Sequence, residues 1–583
     1  MRALERTSTI ERAPRRTLPV VIEELAGSRD SAPALVSPAE SLSYRALAQR
    51  ANRYARWALT QGLEPGSVVC LLLENCPDYM AAWLGLTRAG VTVALLNTHL
   101  TGESLLHSVR IVSPRALIAG AGFAERLLAD PAPVAAGLSC WVRGAGASAL
   151  PGIDAALDAL SGEPLSGSEC APPSLTDRAL YIYTSGTTGL PKAALVSHHR
   201  LMQWSHWFSG MMDITPADRL YDCLPMYHSV GGVVATGATL VGGGTVVVRE
   251  RFSASRFWQD VREERCTIFQ YIGELCRYLV NSPGGPEEAA GHTLRLACGN
   301  GLRADVWEVF QSRFGIPDVL EYYAATEGSF SLYNCEGRIG SIGRIPPFLS
   351  HRYPVAIIQC DPSSGAPVRD AQGRCVRCEP GEAGEAIGRI AVAAGGAGAQ
   401  FEGYADAEAS RRKVLRDVFE PGDAWYRTGD LMSRDAQGFY YFVDRIGDTF
   451  RWKGENVSTT EVASAIAGCQ GVADVAVYGV SVPGTEGRAG MAALVVGPEF
   501  DLAAFRRELV GKLPEYARPL FLRIVPTLEV TGTFKLRKQD LAAHGYDPAK
   551  TSDPLYFDAA GKNSYEKLDA VLHERIVLGG VRL

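Results

Sequence analysis

A loop rich in hydroxyl groups and glycines offers the clearest chemistry in the chain. It reads Tyr183-Thr184-Ser185-Gly186-Thr187-Thr188-Gly189-Leu190-Pro191-Lys192. Hydroxyls and exposed backbone amides bind phosphate oxygens, and glycine lets the backbone approach them closely. The spacing differs from the Walker pattern, because Lys192 follows Gly189 by three residues and no Ser or Thr comes next. We therefore predict a polyphosphate-binding loop of another type.

Buried strands that alternate with helices must position this loop. An amphipathic helix over 44–60 precedes an apolar run at 68–73, a helix over 79–87 and a second apolar run at 91–96. A strand ending at Tyr183 then leads into the loop. Such alternation predicts an α/β fold with mostly parallel sheets covered by helices.

The character of the chain changes near residue 446. Ser458 and Glu461 form a capping box that opens a helix, and short strands and helices continue to about residue 525. We predict an N-terminal arm over 1–40, a large multi-sheet domain over 41–445 and a smaller, mobile α+β domain over 446–583. The stretch from about 130 to 178, rich in Ala, Gly, Pro and Ser, is predicted to be a surface connection.

Composition excludes several classes of protein. The chain has 583 residues, of which 46% are apolar and 21% charged, so it is neither disordered nor fibrous. A net charge of −6 creates no field that attracts nucleic acid. Its 13 scattered cysteines indicate a reducing, cytoplasmic location. We expect no transmembrane segment, and leave open peripheral contact with a membrane and a homo-oligomer.

Five further motifs follow the loop in order. They are LPMYH at 224–228, YAATE at 323–327, YRTGD at 426–430, DR at 444–445 and TGTFK at 531–535. Together with the loop they resemble the adenylate-forming superfamily, which includes acyl-CoA synthetases, peptide-synthetase adenylation domains and beetle luciferases. Within it, FSASRFW at 252–258, QYIGELCRY at 270–278, GNGLR at 299–303 and FRWKGENV at 450–457 look like the fatty acid transport protein group, the very-long-chain acyl-CoA synthetases.

The resemblance implies a reaction in two steps. A carboxylate attacks the α-phosphorus of ATP to give an acyl adenylate and pyrophosphate, and the thiol of coenzyme A then displaces AMP. Bringing two anions together requires cations, Mg²⁺ and oriented donors. The implied substrate is a small apolar carboxylic acid, foremost a long-chain fatty acid.

Most of the implied nucleotide contacts lie in the motifs. Phosphate contacts would come from Thr184, Ser185, Gly186, Thr187, Thr188, Gly189 and Lys192. The base and sugar site would comprise Gly299, Asn300, Gly301, Tyr322, Tyr323, Ala324, Asp430 and Arg445. There Tyr323 would stack on adenine and Asp430 would accept hydrogen bonds from the ribose hydroxyls.

The resemblance also implies the catalytic residues. Glu327, with Thr184, would bind Mg²⁺ together with phosphate oxygens. Thr326 would contact the α-phosphate, and Lys535 would bridge that phosphate and the acid's carboxylate. His228 would lie beside the reacting carboxylate, with a structural core histidine as its alternative interpretation.

The second half-reaction would use a rotated C-terminal domain. Gly447 lies at the implied hinge, and Trp452 and Gly454 would line the channel for the thiol. The acyl pocket is expected at the run 230–244 and at His228, Tyr271, Gly273, Glu274, Cys298 and Ala325.

Three features leave the function open at this point. Many superfamily members have glycine where Ala324 stands. The methyl group of Ala324 would tighten the face that contacts adenine. A bulky steroid- or terpenoid-like acid is an alternative substrate, for an enzyme that completes only the first step or loads a separate carrier. A lipid-uptake protein with secondary ligase activity is the second alternative class.

Overall fold

The computed structural model describes residues 1–129, 138–144, 149–184, 190–282, 286–361, 365–390, 401–452, 455–483, 485, 487–530, 536–559 and 564–581. They form two compact units, one of Met1–Tyr353 with Ile390–Val414 and one of Pro354–Arg389 with Leu415–Leu583. The domain boundary at 445–446 stays a prediction.

The helices of the described chain, in order, are α1 Arg2–Thr7, α2 Leu18–Ser28, α3 Tyr44–Thr60, α4 Pro77–Arg88, α5 Gly102–Arg110, α6 Ala121–Ala129, α7 Asp154–Asp158, α8 His198–Met211, α9 Ala238–Val241, α10 Ala254–Glu263, α11 Gly273–Asn281, α12 Ala304–Phe314, α13 Ala407–Arg412, α14 Thr459–Ala467, α15 Leu502–Lys512, α16 Lys538–His544 and α17 Ala570–Val577. A π-helix, Ser229–Gly237, precedes α9.

The strands are β1 Pro33–Val36, β2 Ser41–Ser43, β3 Val68–Leu72, β4 Thr92–Leu95, β5 Ala116–Gly120, β6 Ser139–Arg143, β7 Arg178–Thr184, β8 Lys192–Ser197, β9 Arg219–Asp222, β10 Thr245–Val248, β11 Ile268–Ile272, β12 Leu296–Asn300, β13 Asp318–Ala324, β14 Ser331–Asn334, β15 Gly343–Arg344, β16 Val355–Ile358, β17 Gly384–Arg389, β18 Val414–Arg416, β19 Ala424–Arg434, β20 Phe439–Arg445, β21 Phe450–Trp452, β22 Glu455–Val457, β23 Val472–Val480, β24 Ala489–Val496, β25 Phe521–Ile524, β26 Leu555–Asp558 and β27 Tyr565–Lys567.

Two sheets dominate the first unit. One has the order β6-β5-β3-β4-β7-β8 and the other β14-β13-β12-β11-β9-β10-β1-β2. Neighbours from β6 to β7 and from β13 to β1 are parallel, whereas β8, β14 and β2 add antiparallel edges. The predicted mostly parallel architecture is confirmed.

Local sequence explains why α3 and α4 form and pack. Ser43 caps α3, its side chain accepting a hydrogen bond from the Ala46 amide. Every residue of α4 is buried. A Cβ at Gly85 would overlap the backbone of Ala51, so glycine lets α4 approach α3 closely. Helix α3 has the predicted bounds, whereas α4 begins two residues before and ends one residue after the predicted span 79–87.

The second unit contains the predicted α+β body. Its sheet has the order β23-β24-β25-β26-β27, with one parallel pair, β24 and β25. Ser458 accepts a hydrogen bond from the Glu461 amide at the start of α14, as the capping box predicts. A further run of antiparallel pairs joins β16, β17, β19 and β20.

The first residues of the predicted N-terminal arm pack against the rest of the first unit. Ala3 and Ile10 are buried, and α1 lies against α8. Arg6 donates hydrogen bonds to Ser209 Oγ and to the carbonyl of Ile214, the latter at 2.8 Å. A Cβ at Gly210 would overlap the backbone of Ala3, so the two helices meet at a glycine. Two buried side chains and one arginine suffice to dock this segment.

The stretch predicted as a surface connection contributes a strand. Residues 139–143 form β6, which pairs in parallel with β5. Its apolar residues Cys140 and Val142 are buried. Within the described ranges, every helix falls short of the length and apolar character that crossing a bilayer demands.

Candidate active site

The two described ends of the predicted phosphate loop lie side by side. Strands β7 and β8 pair antiparallel, and Thr184 lies opposite Lys192. Ser185, Gly186, Thr187, Thr188 and Gly189 lie outside the described residues. The hairpin therefore presents a hydroxyl and an ammonium group at the same end of the sheet.

A tyrosine that sequence reasoning missed brings the predicted phosphate and metal residues together. The Tyr404 hydroxyl hydrogen-bonds with Glu327 and lies beside Thr184. Its ring centre lies 5.8 Å from Lys192 Nζ. Burial, and next the Glu327 carboxylate, raise the pKa of Tyr404 above its usual value. Thr184, Lys192 and Glu327 thus meet around one phenol, although 143 residues separate the first from the third in the sequence.

Backbone pairing with β8 places this tyrosine. The Leu195 amide donates to the Gly403 carbonyl at 3.0 Å, and the Ala405 amide donates to the Ala193 carbonyl at 2.9 Å. Glu402 strengthens the contact, because its carboxylate accepts from both the amide and the hydroxyl of Ser197, each at 2.7 Å. This segment therefore runs as an added strand beside the phosphate hairpin.

One cavity of the first unit begins at the predicted reaction site. Five predicted residues line it: Asn300, Tyr322, Ala324, Ala325 and Thr326. Ser229, which follows His228, also lines it, and its hydroxyl lies 3.4 Å from Thr326 Oγ1. The structure thereby brings the residue that follows the LPMYH motif next to the YAATE motif at one end of the cavity.

The rest of the cavity combines six aromatic side chains with polar and charged ones, among them Arg200 and Glu402. Its walls come from α8, the π-helix and the segment around β14, and include Trp204, Trp207, Phe208, Val230, Val234, Phe330, Tyr333 and Tyr353. The Trp207 ring lies 5.4 Å from that of Tyr333 and 6.0 Å from that of Tyr353. Val230 and Val234 belong to the run predicted to shape the acyl pocket. The cavity can hold a molecule with an apolar tail whose polar end lies at Thr326.

Of the six residues named for the acyl pocket, Ala325 alone is in the cavity lining found among the described residues. The other five, absent from that lining, are His228, Tyr271, Gly273, Glu274 and Cys298. Glu274 is paired with Arg277, Nε to Oε2 at 3.0 Å. Cys298 is fully buried, and burial raises the pKa of its thiol. Gly273 and Tyr271 pack against the 299–302 loop.

The predicted adenine residues occupy neighbouring strand ends. Gly299 and Asn300 end β12, and Tyr322, Tyr323 and Ala324 end the parallel strand β13. Tyr322 is 2% exposed, whereas Tyr323 is half-buried, with its ring 5.5 Å from that of Phe330. Parallel strands bring their carboxyl ends to one edge of the sheet, so these residues adjoin the cavity.

The second unit pairs the predicted ribose residues. Asp430 and Arg445 lie opposite each other on β19 and β20, with Arg445 Nε 3.4 Å from Asp430 Oδ1. Gly447 has a φ of +97°, a backbone conformation that favours glycine. Trp452 is buried in the core of this unit. Lys535 and Gly454 lie outside the described residues.

Comparison with known proteins identifies the family. Residues 22–395 match the model of the AMP-binding enzymes, and residues 461–535 match that of the AMP-binding enzyme C-terminal domain. Long-chain fatty acid transport protein 1 of Mus musculus is 40% identical over 97% of this chain and 88% of its own. Long-chain fatty acid transport protein 3 of Homo sapiens is 44% identical over 89% and 76%.

A solved structure supports the fold. The anthranilate CoA ligase AuaEII, in complex with anthranoyl-AMP, superposes with a TM-score of 0.76 at 20% identity, covering 90% of this chain and 96% of that one. The chain belongs to the AMP-binding enzymes, the adenylate-forming superfamily. Within it the chain belongs with the fatty acid transport proteins, and it is an AMP-forming ligase that activates a carboxylic acid as an acyl adenylate.

Proposed function

We propose that the chain activates a long-chain fatty acid with ATP and transfers the acyl group to coenzyme A. An oxygen of the acid's carboxylate attacks the α-phosphorus, and pyrophosphate leaves. The thiol of coenzyme A then attacks the acyl carbonyl carbon, and AMP leaves with the bonding electron pair. The observation that carries the proposal is the cavity that joins Thr326 to apolar walls.

The side chains at the proposed nucleotide site suit a triphosphate that carries Mg²⁺. Thr184 and Lys192 contact the β- and γ-phosphates, and Glu327 holds Mg²⁺. The Glu327 carboxylate and the buried Thr184 hydroxyl are the hard oxygen ligands that Mg²⁺ prefers, and Tyr404 hydrogen-bonds with Glu327 beside Thr184. Bound Mg²⁺ would neutralise charge on the phosphates. Lys192 would add a positive charge from the protein at the phosphate site.

The proposed acid site places the carboxylate at Thr326 and the tail among the aromatic rings. Burial of the tail removes apolar surface from water, which stabilises the complex by about 25 cal/mol per Å². Ser229, 3.4 Å from Thr326, narrows this end of the cavity. The names of the two transport-protein relatives support a long-chain fatty acid as the substrate.

A second candidate substrate is an acid that carries fused or planar rings. The four side chains that favour it are Trp204, Trp207, Tyr333 and Tyr353, which line the cavity with flat faces. Aromatic walls stack on rings with more specificity than on a flexible chain. Such an acid would be activated by the same first step.

Pyrophosphate release with a panel of acids tests the proposal. The panel holds C8 to C22 fatty acids, aromatic acids and steroid-side-chain acids, each with and without coenzyme A. We expect AMP and pyrophosphate with long-chain acids, and a thioester only when coenzyme A is added. AMP formation without thioester would restrict the enzyme to the first step, and a preference for ring acids would favour the second candidate.

Lys535 gives a sharper test of the mechanism. Lys535→Ala removes the cation proposed to bridge the two anions, so adenylate formation should fall about 100-fold or more. Thioester formation from supplied acyl adenylate should persist. Lys550→Ala is the matched control, because Lys550 is an exposed lysine of the same unit that pairs with Asp547. Normal adenylation by Lys535→Ala would contradict the proposed role.

A further inference from the structure

A buried carboxylate that no motif includes ties three segments together. Glu321 is 2% exposed. Its Oε1 accepts hydrogen bonds from the Gly301 amide at 2.5 Å and the Leu302 amide at 3.2 Å. Its Oε2 accepts from the Tyr271 hydroxyl at 2.5 Å. One side chain thus holds the end of β11 and the loop after β12.

The strand register explains how these groups meet. Tyr271 lies opposite Gly299, and Gly299 lies opposite Glu321, so the three residues form one row across β11, β12 and β13. A Cβ at Gly299 would come within 2.6 Å of the Tyr271 ring. Because glycine occupies the middle of the row, the tyrosine ring crosses it and reaches the carboxylate.

The arrangement is costly for a purely structural element. Burial raises the pKa of Glu321 to about 8, which shows how strongly the core disfavours its charge. A buried polar group is tolerated only when it is hydrogen-bonded. Here two of the three bonds reach the loop that contains Gly301 at a φ of +78°, and the third comes from Tyr271 on β11. The carboxylate therefore fixes the direction of the Gly301 and Leu302 amides.

We propose that Glu321 and Tyr271 are positioning residues for the nucleotide. They hold Gly299, Asn300 and Gly301 in the conformation that receives the adenine base. The inference rests on the proposed function and on the expectation from the sequence that these three residues form the slot around the base. It also gives Tyr271 a role different from the acyl-pocket contact expected from the sequence.

The first test removes one hydroxyl. Tyr271→Phe keeps the ring over Gly299 and deletes the bond to Glu321. Loss of this buried hydrogen bond leaves an oxygen of Glu321 without its partner, so the dissociation constant of Mg-ATP should rise about tenfold. The KM for the acid should change less than about twofold, and the preference for ATP over GTP should fall. Tyr54→Phe is the matched control, since the Tyr54 hydroxyl donates to the buried carboxylate of Asp78 at 2.6 Å. The control should leave all three quantities unchanged.

Variants of Glu321 and a measurement of amide exchange test the role independently of the Tyr271→Phe variant. Glu321→Gln keeps an acceptor for the two amides and has nearly the shape of the neutral carboxyl, so it should weaken Mg-ATP binding less than Glu321→Ala does. Hydrogen exchange of the nucleotide-free protein should quicken at the Gly301 and Leu302 amides in Glu321→Ala and Tyr271→Phe, with unchanged exchange in β3 and β4.

The outcomes separate this inference from the proposed function. If the wild-type protein binds Mg-ATP and forms AMP while Tyr271→Phe and Glu321→Ala retain its affinity and base preference, the positioning role is wrong and the function stands. Equal losses for ATP and acid in both variants would also overturn the role, because they indicate general destabilisation. If the wild-type protein binds no Mg-ATP, both inferences are wrong.

Discussion

Asp222→Asn should make the first unit more stable at neutral pH. Asp222 ends β9 and is fully buried. Its carboxyl accepts hydrogen bonds from the Leu224 amide and the Thr236 hydroxyl, both at 3.1 Å. Burial, only partly offset by these bonds, raises the pKa of Asp222 from 3.8 to about 8. The carboxyl is therefore neutral in the folded protein at pH 7, and asparagine has nearly its shape and its acceptor.

The sign and size of the effect follow from proton linkage. Between about pH 4 and 8 the folded state keeps a proton on Asp222 that the unfolded state has lost, so the free energy of unfolding falls as pH rises. One proton corresponds to about 1.4 kcal/mol per pH unit. Relative to wild type, Asp222→Asn should gain about 3 kcal/mol between pH 5 and pH 7. Urea unfolding at pH 5, 6 and 7 measures this difference.

Asp218→Asn provides the control at the other end of the same strand. Burial alone would raise the pKa of Asp218, but hydrogen bonds from Arg295, Thr267 and Thr215 lower it below its usual range. Asp218 stabilises the folded state fully above its pKa in the unfolded chain. This contribution is lost only as pH falls through its lower pKa in the folded protein. Asp218→Asn should therefore destabilise by a constant amount from pH 5 to 7. Parallel pH profiles for wild type and Asp222→Asn would refute the reasoning.

Three further predictions concern the site. Tyr404→Phe should raise the KM for Mg-ATP about fivefold, measured by pyrophosphate release, because Glu327 loses its hydrogen-bond partner beside Thr184. Asp430→Ala should raise the KM for ATP far more than that for the acid, and equal effects would count against a ribose contact. Trp207→Ala should shift the acid panel toward bulkier tails, since Trp207 lines the cavity against Tyr333, and an unchanged acid profile would show that the tail lies elsewhere.

Local patterns predicted much of the fold. The helix at Tyr44–Thr60 and the capping of α14 by Ser458 depend on residues within a few positions of each other, and both are confirmed. Strand β6 was missed because its neighbours are rich in Ala and Gly, although pairing with β5 orders it. Helix α1 was missed because its packing partner, Gly210, lies about 200 residues away.

The candidate site also divides into residues that nearby sequence predicts and residues that only distant contacts place. Thr184 and Lys192 could be predicted because one continuous loop contains both. Tyr404 could not, since its position results from pairing of its segment with β8. The expected acyl-pocket position of Tyr271 differs from the structure because its row partner, Glu321, is revealed only by strand register.

The missed residues have a common physical character. Tyr404 and Glu321 contact other side chains or backbone amides of the site, and both bury a polar group. Sequence motifs identify residues that would contact a substrate. The residues that support them are brought into place by strand pairing, which the motifs do not show. Substitutions at supporting residues should therefore weaken ground-state binding of the nucleotide, because they alter the geometry of the site before any charge moves. A loss at Lys535, in contrast, should appear in the rate of the chemical step, since its proposed charge acts on the approach of two anions.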